Sequence, residues 1–372
     1  MFASYQSCFS CKARYRANER VFRCERCKGS LLLVYDRLPQ RKAVRSKAFA
    51  LTRPHHWKYW MFYPVRRERA ITMEEGGTPL LQSKTHNLWF KYEGENPTGS
   101  FKDRGSTVEI THAKELGVSR VLCASTGNMG ASVAAYASRA HMQAEIWLPK
   151  GTPPVKTRQI KAYGGRVVRY GRTYNETLEK TFELAKRAYL AGDYAYRLEG
   201  QKSVAFEIAD QLKWRVPDYV VVPVGMGTLA FATYKAFAEL EALGLTSRMP
   251  RLVAVQAAGC APVVQAFEKN SHMIIQVNNP RTIASAINCG YPNYGHEVLR
   301  ALRKTKGLAV AVTDKEIIAA QRALGKEGIF AEPGGAASYA GFLKAGLKGS
   351  VVCVVTGSGL KDPFAGAKRR SK

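Results

Sequence analysis

Lys102 is the residue best placed for covalent chemistry, in the stretch ENPTGSFKDRG that spans residues 95–105. It comes just after Pro97 and Gly99, a pair that is typical of a tight turn, and it begins a segment predicted to be helical. A buried lysine amine is nucleophilic and can form a Schiff base with an aldehyde cofactor. The pattern alone leaves a second interpretation open, in which Lys102 is an exposed lysine on the first turn of a helix.

Glycine-rich loops that also carry Ser, Thr or Asn occur next to predicted strands. Ligands of open α/β sheets bind at the carboxyl ends of strands, so several such loops indicate one shared polar or anionic ligand. The loop at 223–230 suits a phosphate group, because backbone N–H groups converge at the start of the helix that follows. It lacks the lysine of an ATP-binding P-loop and the full dinucleotide pattern, which favours a small phosphate-bearing cofactor over a nucleotide. The loops are ENPTGSFKD (95–103), ASTGNMGAS (124–132), PVGMGTLA (223–230) and TGSGLKDP (356–363).

Two CxxC pairs lie near the beginning of the sequence. Four thiolates at such a spacing can surround a zinc ion tetrahedrally and leave no open coordination position, so the sequence predicts a structural zinc site. Reduced free thiols or a redox pair are the alternatives. The other four cysteines are scattered, and we expect buried free thiols there, since Cys123 and Cys353 lie in apolar runs. These four are Cys123, Cys260, Cys289 and Cys353. The two pairs consist of Cys8 and Cys11, then Cys24 and Cys27.

From about residue 72 onward, short apolar runs alternate with amphipathic segments, a pattern typical of parallel sheets covered by helices on both faces. The sequence therefore predicts an α/β fold. We expect helices at 102–116, 174–191 and 228–243 among others. The predicted strands are LWFKYEG (88–94), RVLCAST (120–126), AEIWLPK (144–150), RVVRYG (166–171), DYVVVPV (218–224), RLVAVQA (251–257) and SVVCVV (350–355).

The charge of the chain is strongly basic. Its 372 residues include 57 Lys and Arg against 29 Asp and Glu, a formal net charge of +28. Such a field attracts anions, including nucleic acid and phosphorylated metabolites. We interpret the most basic stretch, 41–69, as a solvated segment, with nucleic-acid binding as the alternative. No apolar run is long enough to span a membrane and no signal-peptide core is present, so we expect a cytoplasmic protein.

Five segments are informative together: EEGGTPL (74–80), KYEGENPTGSFKDRG (91–105), STGN (125–128), RLEGQKSVAFEI (197–208) and TGSGLKDP (356–363). They resemble the threonine synthase family, whose members are pyridoxal-phosphate enzymes with the tryptophan-synthase-β fold, also called fold type II. The similarity covers nearly the whole chain. Its most specific part is KYEGENPTGSFKDRG, which resembles the signature around the family's catalytic lysine.

The resemblance implies two open parallel-sheet lobes and a small N-terminal zinc-ribbon-like module. We predict the module over residues 1–36, a basic linker over 37–71 and the pyridoxal-phosphate-dependent domain over 72–372. A smaller lobe at about 107–195 would be inserted in the larger one. Related enzymes are often dimers, and the analogy suggests a homodimer.

The resemblance also implies which residues bind pyridoxal 5′-phosphate. Lys102 would bind it covalently and then act as the acid and base that moves protons. Asn128 would donate a hydrogen bond to the phenolic oxygen, and the hydroxyl of Thr356 would face the pyridine nitrogen. A hydroxyl there leaves that nitrogen largely unprotonated, which favours elimination and replacement over transamination. The cofactor phosphate would bind to the loop formed by Gly225, Met226, Gly227, Thr228 and Leu229.

The reaction implied by the resemblance is the conversion of O-phospho-L-homoserine and water to L-threonine and phosphate. The small-molecule substrate is thus a phosphorylated amino acid. Its phosphate would bind to Arg197. Its carboxylate would bind to Ser125, Thr126 and Gly127.

The sequence departs from the family pattern in the predicted substrate pocket. Met129 and Gly130 replace two hydroxyl residues that commonly follow STGN, and the 225–229 loop lacks both asparagines of the family's GNxGN. These differences leave two alternatives open. One is a pyridoxal-phosphate-dependent threonine or serine dehydratase, or a β-replacement enzyme acting on O-phosphoserine or O-acetylserine. The other is a nucleic-acid-binding protein without catalytic activity.

Overall fold

A computed structural model describes residues 3–48, 55–125, 127–152, 154–186 and 188–362. Within this range the helices and strands alternate along most of the chain, which confirms the predicted α/β fold. None of the helices in the described ranges has the length and hydropathy that a membrane span needs.

The strands are β1 Tyr5–Cys8, β2 Arg14–Arg16, β3 Leu31–Val34, β4 Leu80–Gln82, β5 Leu88–Tyr92, β6 Arg120–Ala124, β7 Gln143–Leu148, β8 Arg166–Arg169, β9 Tyr189–Leu190, β10 Tyr219–Pro223, β11 Arg251–Ala257, β12 Leu308–Val312 and β13 Val351–Val355. The α-helices are α1 Arg41–Ala48, α2 Lys102–Glu115, α3 Asn128–Arg139, α4 Arg158–Ala162, α5 Tyr174–Leu184, α6 Ala195–Gln201, α7 Ser203–Gln211, α8 Thr228–Ala242, α9 Pro262–Glu268, α10 Gly295–Lys304, α11 Asp314–Lys326 and α12 Pro333–Ala345.

The chain divides into two compact units. The first unit comprises Met1–Gly77, Asn96–Glu207 and Ala242–Leu245. The second unit comprises Thr78–Glu95, Ile208–Glu241 and Thr246–Lys372. The domain boundaries at 36/37 and 71/72, and the smaller lobe at 107–195, stay predictions from the sequence.

The first unit contains a parallel sheet in the order β8-β7-β6-β9 and a three-stranded antiparallel sheet in the order β2-β1-β3. The sheet of the second unit has the order β12-β11-β10-β13-β5-β4, and β4 alone of these strands runs antiparallel. All five residues of β13 are buried, which explains why it is a continuous apolar run.

The predicted helix at 174–191 is wrong in its second half. Helix α5 begins after Thr173, whose side chain accepts a hydrogen bond from the backbone N–H of Glu176, and it ends at Leu184. The following residues Tyr189 and Leu190 form β9, which extends the sheet beside β6. A short apolar segment continues the helical pattern in the sequence, and only its pairing with a distant strand makes it a strand.

The interpretation of 41–69 as a solvated segment is also wrong over part of its length. Residues 49–54 lie outside the described range. Beyond them, His56, Trp57 and Lys58 are buried in the first unit, as is Phe62. Aromatic side chains dominate this stretch, and their burial outweighs the cost of enclosing the few cations among them.

Candidate active site

The backbone turn before Lys102 is fixed by hydrogen bonds. Gly99 adopts a φ of 86° and donates from its N–H to the carbonyl of Asn96 at 2.7 Å. The buried carboxylate of Asp103 accepts from both the backbone N–H and the hydroxyl of Thr98, at 2.7 and 2.6 Å. Lys102 is therefore the first residue of α2, and the preceding turn is stabilised by Asp103, the next residue in the sequence.

The Lys102 side chain is mostly enclosed, with 16% of it exposed. Its Nζ lies 3.4 Å from Oδ1 of Asp193 and 4.8 Å from the ring centre of Phe101. This excludes the interpretation of Lys102 as a fully exposed surface lysine. Asp193 was not identified from the sequence, although an isolated acid within the otherwise uncharged run AGDYAY (191–196) is a signal that could have found it.

Arg197 is completely buried, and its guanidinium binds within the protein. Nε and Nη2 donate to Oε2 of Glu109 at 3.0 and 2.6 Å, and Nη2 also lies 3.0 Å from Oγ of Ser106. Nη1 donates to the backbone carbonyl of Lys102 at 3.1 Å. Burial raises the pKa of Glu109, although the Arg197 charge opposes that change. The observed contacts are those of a positioning residue, and phosphate binding by Arg197 stays a prediction from the sequence.

The predicted carboxylate-binding loop connects β6 to α3. The hydroxyl of Ser125 accepts from the N–H groups of Gly127 and Gly130, at 3.3 and 3.0 Å, and so shapes the loop. Asn128 is the first residue of α3. Thr126, the remaining predicted residue of this loop, lies outside the described range.

Helix α3 is anchored directly to the helix that begins with Lys102. The hydroxyl of Ser132 lies 2.6 Å from Oδ1 of Asp103 and 2.7 Å from Oγ of Ser106. The structure therefore brings the first turns of α2 and α3 together within the first unit.

The departures after STGN have a packing explanation. Met129 is buried and belongs to the apolar core of the first unit. A Cβ atom at Gly130 would lie 2.8 Å from Cγ2 of Ile146 and 3.2 Å from the carbonyl oxygen of Ser125. A side chain at position 130 is therefore excluded unless Ile146 moves.

In the second unit, the loop between β10 and α8 forms a glycine-lined cradle. Gly227 has a φ of 88°, and a Cβ atom there would lie 3.1 Å from the carbonyl group of Tyr294. Tyr294 in turn donates from its backbone N–H to the carbonyl of Met226 at 2.9 Å. A Cβ atom at Gly225 would lie 3.2 Å from the carbonyl oxygen of Ala286. Thr228 and Leu229, the remaining loop residues, are buried at the start of α8.

Thr356 is the other predicted cofactor residue in the second unit. It is buried directly after β13, at the carboxyl end of a central strand. A Cβ atom at Gly335 would lie 3.0 Å from its backbone nitrogen, so α12 approaches this position closely. The location agrees with the general rule that ligands of parallel sheets bind at the carboxyl ends of strands.

The residues fit a phosphate-bearing aldehyde cofactor. The loop at 225–229 leads into a 15-residue helix, whose N-terminal N–H groups attract an anion. The lysine has an amino group in a largely enclosed position. Two residues before it, the hydroxyl of Ser100 is buried and has no hydrogen-bond partner among the described residues, so it is available to a bound group.

The N-terminal cysteines come together as predicted. Their Sγ atoms all lie within 4.8 Å of one another, with Cys8 and Cys27 3.4 Å apart and Cys11 and Cys24 3.5 Å apart. Such distances suit four thiolates around one small ion. The buried free thiols expected at Cys123, Cys260 and Cys353 are confirmed, whereas the expectation is wrong for Cys289, which is partly exposed.

The cysteine-bearing segment packs on the rest of the first unit. The ring of Phe22 lies 5.4 Å from that of Tyr189 and 5.5 Å from that of Tyr194. The hydroxyl of Tyr35 donates to Oε2 of Glu199 at 2.8 Å. The segment therefore contacts the chain on both sides of Arg197.

Comparisons with known proteins agree with this geometry. A family model described as "Pyridoxal-phosphate dependent enzyme" matches residues 71–357. Threonine synthase of Methanocaldococcus jannaschii is 41% identical over 97% of this chain and 93% of its own length. Threonine synthase of Methanosarcina acetivorans is 40% identical, over 96% and 92%.

Solved structures show the same fold at lower identity. Threonine deaminase isoform 2 from Solanum lycopersicum matches with a TM-score of 0.67 and 23% identity, over 86% of this chain and 89% of that chain. The fold and the site thus define a pyridoxal-phosphate-dependent enzyme of fold type II. Within that class, the chain belongs to the threonine synthase family.

Proposed function

We propose that this chain converts O-phospho-L-homoserine and water to L-threonine and phosphate as a pyridoxal-phosphate-dependent lyase. The observation that carries the proposal is the 41% identity to a threonine synthase, which extends over 97% of the chain. When bound, pyridoxal phosphate supplies an electron sink that stabilises negative charge on the substrate carbon atoms.

The protein's contribution comes from residues of several loops. In the first unit, Lys102 binds the cofactor covalently, and its Nζ carries the protons that are moved during the reaction. Asn128 binds the phenolic oxygen of the cofactor. The loop before it, with Ser125, Thr126 and Gly127, binds the substrate carboxylate. In the second unit, the N–H groups at 225–229 would hold the cofactor phosphate, and the hydroxyl of Thr356 would hold the pyridine nitrogen.

A second candidate is a relative of this activity with the same cofactor and another amino-acid substrate. It is favoured by the observation that Arg197 binds Glu109, Ser106 and the Lys102 carbonyl. Arg197, the residue that the resemblance implies for phosphate binding, thus already has hydrogen-bond partners within the protein. Arg197 would not be needed as a ligand of a Cγ phosphate in two other reactions. These are the dehydration of threonine or serine and β-replacement on O-phosphoserine or O-acetylserine.

The test is to incubate the purified holoenzyme with O-phospho-L-homoserine and to quantify inorganic phosphate and threonine. We expect equal amounts of the two products. Release of 2-oxobutyrate from threonine, with no phosphate released from phosphohomoserine, would instead identify a dehydratase. A holoenzyme that turns over only O-phosphoserine or O-acetylserine with an added nucleophile would identify a β-replacement enzyme.

We also propose that Cys8, Cys11, Cys24 and Cys27 bind one structural zinc ion. The distances between their Sγ atoms support the proposal, and four thiolates leave no position for a substrate. A cytoplasmic location and a homodimer remain predictions from the sequence and the analogy.

A further inference from the structure

A ring of hydrogen bonds and ion pairs begins and ends at Lys102. The carbonyl of Lys102 accepts from Arg197, and Arg197 binds Oε2 of Glu109. The other carboxylate oxygen of Glu109 accepts from the backbone N–H of Gly192 at 2.9 Å. The next residue is Asp193, whose Oδ1 lies 3.4 Å from Nζ of Lys102. Both the backbone and the amino group of Lys102 are therefore tied to one buried network.

The Asp193 carboxylate in this network is not an exposed surface group. Asp193 is 4% exposed, and Arg197 and Glu109 are no more exposed than it is. A buried carboxylate is costly unless it is paired, and the Lys102 ammonium offsets that cost. The network also fixes the backbone next to Asp193, because Glu109 accepts a hydrogen bond from the N–H of Gly192.

We propose that Asp193 is a positioning residue that holds the Lys102 amino group whenever that group is not bound to the cofactor. The inference rests on the proposed role of Lys102 as the cofactor lysine. When it is not bound to the cofactor, the amino group would have to stay within reach of it. A fixed partner keeps Nζ in the site for proton transfer and limits the positions it can reach.

The first test measures Lys102 itself in the cofactor-free protein. Trace acetylation with succinimidyl acetate, followed by peptide mass spectrometry, gives the rate at which Lys102 reacts relative to the exposed Lys269. We expect Asp193→Asn to raise that relative rate about five- to tenfold, because the amino group loses its ionic partner. Glu145→Gln is the matched control, since Glu145 is a largely buried carboxylate of the same unit that pairs with Arg120 instead. It should leave the rate unchanged.

The second test separates positioning from a purely structural role. Holoenzyme carrying Asp193→Asn should retain its KM within about twofold and lose about tenfold or more in kcat. Circular dichroism of each variant verifies that it folds. Asp193→Ser, which is smaller and also lacks the carboxylate, replaces the asparagine variant if that one does not fold.

The outcomes distinguish this inference from the proposed reaction. An unchanged acetylation rate of Lys102 in a folded Asp193 variant overturns the positioning role, even if the wild-type enzyme makes threonine. A raised rate supports it even if phosphohomoserine proves not to be the substrate, because the first measurement involves neither cofactor nor substrate.

Discussion

Nη1 of Arg197 donates a hydrogen bond to the backbone carbonyl oxygen of Lys102 at 3.1 Å, across 95 residues of sequence. The same guanidinium forms a buried ion pair with Glu109 at 2.6 Å. One arginine thus joins α6 to the first turn and to the middle of α2. Its contacts set the position of Lys102 through the backbone.

Replacing Arg197 with alanine should lower the free energy of unfolding by about 3–5 kcal/mol, because it leaves Glu109 buried without its partner. A positioning role also predicts similar losses of kcat/KM for phosphorylated and unphosphorylated substrates. Urea unfolding and steady-state kinetics with both substrate types measure these effects. A rise of KM confined to the phosphorylated substrate would support the phosphate role expected from the sequence. Arg197→Lys, which keeps the charge but not the planar fork, is the companion variant.

Gly227→Ala should weaken binding of pyridoxal phosphate by about tenfold or more, since a side chain at a φ of 88° is strained and its Cβ would approach the Tyr294 carbonyl. The measurement is a titration of the cofactor-free protein with pyridoxal phosphate, followed by absorbance. Gly325→Ala in α11 is the control, because a Cβ atom there meets no atom within 4 Å. Equal affinity in the two variants would contradict the assignment of the 225–229 loop.

Metal analysis of the purified protein should find about one zinc per chain, and Cys11→Ser should lower that content. Zinc removal should also destabilise the first unit, because the cysteine-bearing segment packs through Phe22 on Tyr189 and Tyr194. Cys289→Ser, outside the cluster, should keep the metal. Full stability after complete chelation would show that the four thiols need no ion.

His112 should make the protein less stable as the pH falls. Burial lowers its pKa to about 3, and its ring stacks on Tyr196 at 3.4 Å between centroids. Between pH 6.5 and pH 3 the unfolded chain binds a proton at His112 that the folded protein does not bind. Its contribution to the free energy of unfolding therefore falls by about 2 kcal/mol from pH 7 to pH 5.

The variant His112→Phe keeps an aromatic ring against Tyr196 and removes the titration. Urea unfolding at pH 7 and pH 5 should show a smaller loss of stability for this variant than for the wild type. The exposed His86 provides the control as His86→Phe. The same loss in wild type and His112→Phe would contradict the prediction.

Local features of the site could be predicted because their information lies in adjacent residues. The turn at Gly99, the glycines at 225 and 227 and the spacing of the cysteines each impose a backbone conformation or a ligand geometry over a few positions. Strands such as β10 and β13 could also be predicted, since burial on both faces demands continuous apolar residues.

Pairings between distant residues could not be predicted in the same way. Whether Tyr189 and Leu190 continue a helix or form a strand depends on β6, about 70 residues earlier. Lys58 is basic in the sequence and buried in the fold, where its Nζ lies 6.0 Å from the ring centre of Tyr59.

The sequence by itself determined the candidate chemical groups of this protein: a lysine on a glycine-containing turn, a glycine-rich loop that begins a helix and a set of four cysteines. Only the tertiary structure decided which charges meet. Asp193 and Glu109 are ordinary acids in the sequence, and burial beside Lys102 and Arg197 turns them into the groups that hold the site. The reason is physical. An unpaired charge is costly in a buried environment, so each buried charge must lie beside an opposite charge in the folded protein.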